Sequence, residues 1–258
     1  MRPRVLGAAG LALALVALIT AGPAAAEIST DDGGTLYGAG TEPIACVSRP
    51  GTIVAAGPHR PEVALTFDDG PNNRQTPAIL DILDRFHAHA TFFEEGRHVA
   101  GREELMRQIL DDGDEIGNHS YHHPHDPGEA ELRSTDAAIE AATGFEPCLF
   151  RPPYGLINAK VEAAARANRL ELVLWTFDSA DDHQSIPGPI VDHTVKSASD
   201  GAIILMHDGG HHPQTVEALE GVLEGLRARG FRFVTVTELL GGRMVYPSSP
   251  PSGTPSIR

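Results

Sequence analysis

Five short polar motifs in this chain each follow an apolar run that reads as a buried strand. Thr66-Phe67-Asp68-Asp69-Gly70 follows Val63-Ala64-Leu65, and His119-Ser120-Tyr121-His122-His123-Pro124 follows a short strand at 115–118. Arg151-Pro152-Pro153-Tyr154-Gly155 follows a strand at 147–150. Thr176-Phe177-Asp178-Ser179-Ala180-Asp181-Asp182 follows Leu172 to Trp175, and His207-Asp208-Gly209-Gly210 follows Ala202 to Met206. Further strands are predicted at 90–93 and 231–234. Helical periodicity lies between them: Ile79, Ile82, Leu83 and Phe86 share one face, as do Val216, Leu219, Val222, Leu223 and Leu226. Thr76 is expected to cap the first of these helices. Asp126-Pro127-Gly128-Glu129 reads as a capping box for a helix that Gly144 ends. Strands alternating with helices imply an α/β fold with about seven parallel strands. A doubly wound open sheet and a (β/α) barrel both satisfy that order. Polar residues placed just after each strand favour the barrel, where those ends gather on one face.

The residue types at those ends are those of acids, bases and metal ligands. Adjacent carboxylates shift each other's pKa unless something separates them. A metal ion would do so at Asp68-Asp69, one ligating it and the other staying free as a base; the plain alternative is an Asp-Asp-Gly turn. His119 and His123 are four apart, so one helical turn would bring both rings to one side. With Asp69 they would form an open catalytic zinc set. The alternative is a solvated histidine-rich loop, since His122 and His125 crowd the same stretch. Arg151 can hold a carboxylate in a two-pronged grip.

The 258 residues divide into four stretches. Residues 1–26 read as a signal peptide: Arg2 and Arg4, then apolar Leu11 to Ile19, then Ala24-Ala25-Ala26 before Glu27. Residues 27–61 read as an extended N-terminal segment, 62–242 as the catalytic domain, and 243–258 as a Pro/Ser-rich disordered tail. The chain is expected to be exported, to the extracellular space or the cell wall, and to have no membrane span, since no later stretch approaches about 20 apolar residues. The net charge of −15 argues against nucleic acid as a partner and suits an uncharged sugar. The two cysteines, Cys46 and Cys148, suggest one disulfide in an exported protein.

Taken in order, TFDDG, HSYHHP, RPPYG, WTFDSAD and ILMHD make the sequence resemble the polysaccharide deacetylase family, carbohydrate esterase family four, over about residues 62–241. The resemblance implies a distorted, incomplete (β/α) barrel and metal-dependent deacetylation of a sugar polymer, with Zn2+ or Co2+ as the metal. Carried over by position, Asp68 would be the general base, with Asp69, His119 and His123 as metal ligands. Arg151 would orient Asp68, and the Tyr154 backbone N–H would meet the oxyanion. Asp178 would orient His207, the general acid, while Trp175 and Leu205 would line the acetyl pocket. The expected partner is an N-acetylated glycan, peptidoglycan N-acetylglucosamine or chitooligosaccharide, acted on by a monomer. Acetylxylan O-deacetylation, an inactive carbohydrate-binding protein and a metal-sequestering protein are the other readings weighed. Two departures stand out: Asp182 occupies a position where many members carry an aromatic residue, and Glu94-Glu95 follows the second strand where apolar residues are more usual.

Overall fold

The computed structural model describes residues 49–242, Met244 and the backbone of two short strands further upstream. The chain forms two compact units, residues 1–41 and 42–258. In the first, β1 (Ser29–Thr30) pairs antiparallel with β2 (Leu36–Tyr37). The expected signal peptide and Cys46, and with it the expected Cys46–Cys148 bridge, lie outside the described residues, as does the tail except Met244.

The second unit is a single curled sheet with helices packed against it. Its order along the chain is β3 (Ile53–Val54), β4 (Glu62–Asp68), α1 (Gln75–Arg85), β5 (Ala90–Glu94), α2 (Gly96–Val99), α3 (Glu103–Asp111), β6 (Glu115–Asn118) and α4 (Glu129–Thr143). Then come β7 (Leu149–Phe150), α5 (Ala159–Ala167), β8 (Glu171–Val173), β9 (Phe177–Asp178), α6 (Pro187–Ser197), β10 (Ala202–His207), α7 (Pro213–Ala228), β11 (Arg232–Phe233) and α8 (Val236–Leu239). The strands lie in the order β3-β8-β7-β6-β5-β4-β10-β9, with β11 added to β4, and every ladder is parallel. The end strands β3 and β9 do not pair. The gap is bridged by irregular contacts instead: Ala56 pairs with Ala202, and Thr176 Oγ1 donates to the Ala55 carbonyl while its N–H donates to that of Ile203. This is a distorted, incomplete (β/α) barrel. Ile53 and Val54 fall within the stretch expected to be an extended lead-in; two residues are too few to show a periodicity, yet they supply the sheet's edge.

Strand alternation separates two cores. On β4, Val63, Leu65 and Phe67 face the helices, and on β10 so do Ala202, Ile204 and Met206. Ala64 and Ile203 face the barrel interior with Phe93, Val173, Val236 and Leu239. Being covered on both faces, the central strands read as continuous apolar runs. Asp68 shares the inward parity of Ala64 and Thr66, so the fold delivers its carboxylate to the open end of the barrel. No helix among the described residues is long and apolar enough to cross a membrane.

Two expected caps are different in the structure. Thr76 lies inside α1, accepting from the Asn72 N–H and donating to Asp208 Oδ2. The Asn72 side chain serves the helix start, accepting from the Arg74 and Gln75 N–H groups. No side chain caps α4 at Gly128. Asp126 is held instead by Lys160 and Asn158 across the chain.

Candidate active site

Register brings the motifs together. Asp68 pairs with His207 on one side and with Phe93 on the other, Glu94 with Asn118, and Asn118 with Phe150. The residues that follow these strand ends therefore emerge at one level. Backbone bonds continue the alignment past the strands, from the His119 N–H to Glu94 and from the Arg151 N–H to Asn118. The resulting pocket, about 330 Å³, is lined by Asp68, Asp69, His119, His123, Tyr154, Trp175, Asp178, Asp182, Leu205 and His207.

Asp68 lines it and is backed by Arg151. Arg151 is fully buried, and its Nη1 donates to Asp68 Oδ1 at 2.8 Å and to Thr66 Oγ1 at 2.7 Å. The expected two-pronged grip is not made. The other nitrogens reach the carbonyls of Val173 and Leu174, and the guanidinium lies 4.2 Å from the Phe93 ring centre. One carboxylate oxygen is thereby fixed while Oδ2 faces His119 at 3.7 Å.

Beside it, Asp69 turns outward at φ 75 and lines the pocket with the two imidazoles. His119 Nε2 and His123 Nε2 lie 3.4 Å and 3.3 Å from Asp69 Oδ1. That oxygen is buried and has no hydrogen-bond partner. His119 Nδ1 sits 2.7 Å from the Arg151 carbonyl, which fixes it as the donor and leaves Nε2 as a lone pair for a ligand role. One carboxylate and two imidazoles converging on one point fit a divalent cation, and the three could hold one. The histidines do not meet through a helical turn, as their spacing suggested. Ser120 and His123 both adopt left-handed φ, 65 and 57, folding the segment back on itself. Burial raises the Asp69 pKa, but the imidazoles of His119, His207 and His123 around it outweigh that and leave the carboxyl below its ordinary range. Burial, reinforced by His119, lowers His123 to about 4, so it is neutral and able to ligate.

His207 has a different partner from the one expected. The register aligns Asp178 with Leu205, two residues short of His207, and its Oδ1 accepts from the Ala180 N–H. A turn through Ala180 at φ 60 carries Asp181 up to His207 instead. His207 Nδ1 lies 2.9 Å from Asp181 Oδ1, and the His207 N–H donates to Oδ2 at 2.8 Å. Thr215 Oγ1 and Ser179 Oγ complete the shell of this fully buried carboxylate. Burial lowers the His207 pKa, but Asp181, then Asp68 and Asp69, carry it up to about 10. The signal for Asp181 was its place one turn beyond a strand end, which only the strand register turns into proximity.

Tyr154 adopts φ 59 within a 3-10 turn spanning Pro153–Gly155, with its ring stacked on His125 at 4.1 Å and edge-on to His123. Leu205 and Trp175 supply apolar wall. His122 pairs with Glu131, away from the three-residue cluster. Sequence reasoning assigned no role to Asp208 or to Glu94. Both are fully buried behind the pocket: a methyl on Gly70 would lie 2.2 Å from Asp208 Oδ2 and 2.6 Å from Glu94 Oε2.

Comparison with known proteins agrees with this architecture. The family profile described as "Polysaccharide deacetylase" matches residues 55–173. A peptidoglycan-N-acetylglucosamine deacetylase of Bacillus cereus is 41% identical over 69% of this chain and 87% of its own. The peptidoglycan-N-acetylglucosamine deacetylase PgdA of Listeria monocytogenes is 36% identical over 70% of this chain, which spans 39% of that longer protein. A carbohydrate esterase family 4 pseudoenzyme from Bacillus anthracis superposes with a TM-score of 0.68 at 32% identity, over 73% of this chain and 69% of the other. The chain belongs to the polysaccharide deacetylase family, carbohydrate esterase family 4.

Proposed function

We propose that this chain is a metal-dependent hydrolase that removes N-acetyl groups from a glycan, with peptidoglycan N-acetylglucosamine or a chitooligosaccharide as substrate. The observation that carries the reading is the pairing of Asp68 with His207 across adjacent strands, both in the pocket that holds the Asp69, His119 and His123 cluster. The donor set suits Zn2+, with Co2+ as the alternative; a bound ion of this kind polarises a carbonyl and makes water a better nucleophile.

The chain's own residues supply the rest. Asp68, with one oxygen held by Arg151, keeps the other for the proton of the attacking water. The Tyr154 N–H is offered to the carbonyl oxygen as charge develops there. His207, kept protonated by Asp181, gives its proton to the leaving nitrogen. Leu205 and Trp175 surround the acetyl methyl group. Acetate release from chitooligosaccharides, purified peptidoglycan and acetylated xylan, with and without chelator, tests the reading. Chelator-sensitive release from an amide substrate supports it. Release from xylan alone assigns an O-deacetylase. No release from any metal-loaded sample assigns the chain to the inactive members, of which the Bacillus anthracis relative is one.

Export through residues 1–26, action at the cell wall as a monomer, and a Cys46–Cys148 disulfide belong to the same proposal. A secreted product beginning at Glu27, eluting as a monomer, with no titratable thiol when unfolded without reductant, is the expected result.

A further inference from the structure

Asp69 follows β4 and the two histidines follow β6, while β5, the strand between them, contributes none of these three candidate ligands. The turn after β5 reaches both ligand-bearing segments instead. The Gly96 and Arg97 N–H groups donate at 3.1 and 3.2 Å to the carbonyls of Ser120 and Tyr121, which lie between His119 and His123. On the other side, the carbonyls of Asp68, Asp69 and Gly70 each have a partner. Asp68 accepts from the Asp208 and Gly209 N–H groups, and Gly70 from the Glu95 N–H at 2.9 Å. Asp69 is held by a side chain, His98, whose Nδ1 lies 3.1 Å from its carbonyl oxygen. A carbonyl can only accept, so Nδ1 carries the proton. The half-buried His98 is anchored in turn: its N–H donates to the Glu95 carbonyl, and its carbonyl accepts from Arg102 Nη1.

We infer that His98 is a positioning residue for Asp69, its Nδ1–H holding the backbone turn that aims the carboxylate at the candidate metal site. The inference rests on the metal-dependent reading. Asp69 sits at φ 75, in the left-handed region that only Gly, and sometimes Asn and Asp, visits routinely. Such a residue keeps its conformation only where its surroundings fix it. Backbone bonds fix the carbonyls before and after it, but the Asp69 carbonyl itself depends on His98. Without that bond the peptide is free to turn, and the carboxylate on the same residue moves with it. His98 does not line the pocket, so it acts through Asp69 and has no part in proton transfer.

The test is the Zn2+ affinity of the full chain, measured by competition with a chromophoric chelator. His98→Leu is expected to weaken it about 10- to 100-fold, the range found for groups that orient metal ligands. His98→Asn should restore most of that loss, because its amide N–H leaves from the same Cγ as the imidazole Nδ1. A merely structural role would lower the urea midpoint of the metal-free chain and leave the Zn2+ affinity of folded protein alone. Unchanged affinity in His98→Leu, or an equal loss in His98→Asn, would overturn the inference. A second measurement needs no variant and decides the matter if the substituted chains fail to fold. In the 15N spectrum of the natural chain at pH 8, His98 should carry its proton on Nδ1; a proton on Nε2 alone would overturn the inference. A natural chain that takes up no divalent ion sinks the metal-dependent reading and this inference with it. One that binds the ion with the expected His98 pattern but releases no acetate fails only as a deacetylase.

Discussion

Asp181 holds both the ring and the backbone of His207, its Oδ1 2.9 Å from Nδ1 and its Oδ2 2.8 Å from the N–H. The imidazole therefore keeps its proton well above the usual range, to about 10. If His207 donates that proton, activity falls as pH rises through its pKa. Asp181→Asn removes the main support, so the alkaline limb of the pH–rate profile should move to lower pH, with a loss of about 10²-fold or more in kcat. Asp178→Asn should leave that limb in place. The sign for stability is the same: a raised imidazole pKa stabilises the fold below about 6.5, and the benefit disappears as pH climbs toward 10.

Arg151 is a buried cation whose charge partner is Asp68. Arg151→Met strands that carboxylate and should cost about 3–5 kcal/mol, read as a lower denaturant midpoint. Asp68→Asn keeps a polar group opposite the guanidinium. It should keep the bound metal, measured by elemental analysis, while acetate release falls about 10²–10⁴-fold.

His119→Ala removes one of the three groups of the Asp69, His119 and His123 cluster. Metal content should drop below stoichiometric in that variant. A chelator should lower the melting temperature of the natural chain but not that of the variant, because an ion that binds only the folded state stabilises it by mass action.

Gly209 packs against the backbone of Asp69: an added Cβ would lie 2.1 Å from its carbonyl oxygen. A backbone atom cannot swing aside as a side chain does. Gly209→Ala should destabilise by about 1–3 kcal/mol and weaken metal binding together, whereas the same change at Gly188, where nothing lies within 4 Å, should do neither.

Glu94 has no hydrogen-bond partner for either carboxylate oxygen. Burial, then Asp208, Asp68, Glu95 and Asp69, raise its pKa well above the ordinary value. Burial, reinforced by Asp69 and Asp68, brings Asp208 to about 7 despite the Thr76 bond. Raised carboxyl pKa values mean that the folded state binds protons more tightly. For Asp208 this contribution is complete below about 4 and is lost as pH rises through 7, and Glu94 acts in the same direction. Glu94→Gln should raise the urea midpoint at pH 8 and change it little at pH 5.

The chain's residues alone determined the alternation of strand and helix and the placement of polar motifs after strands, because periodicity and turn chemistry are local. They also marked Asp69, His119 and His123 as a possible metal set, although not the left-handed turn that assembles it. Tertiary structure decided which aspartate meets His207: Asp178 and Asp181 look alike in sequence, and only the β9–β10 register separates them. It also decided that Arg151 divides its donors between one carboxylate oxygen, a hydroxyl and two carbonyls, and that Ile53 and Val54 supply an edge strand. These are long-range pairings, fixed by how inward-facing side chains fill one barrel, and no local pattern encodes them.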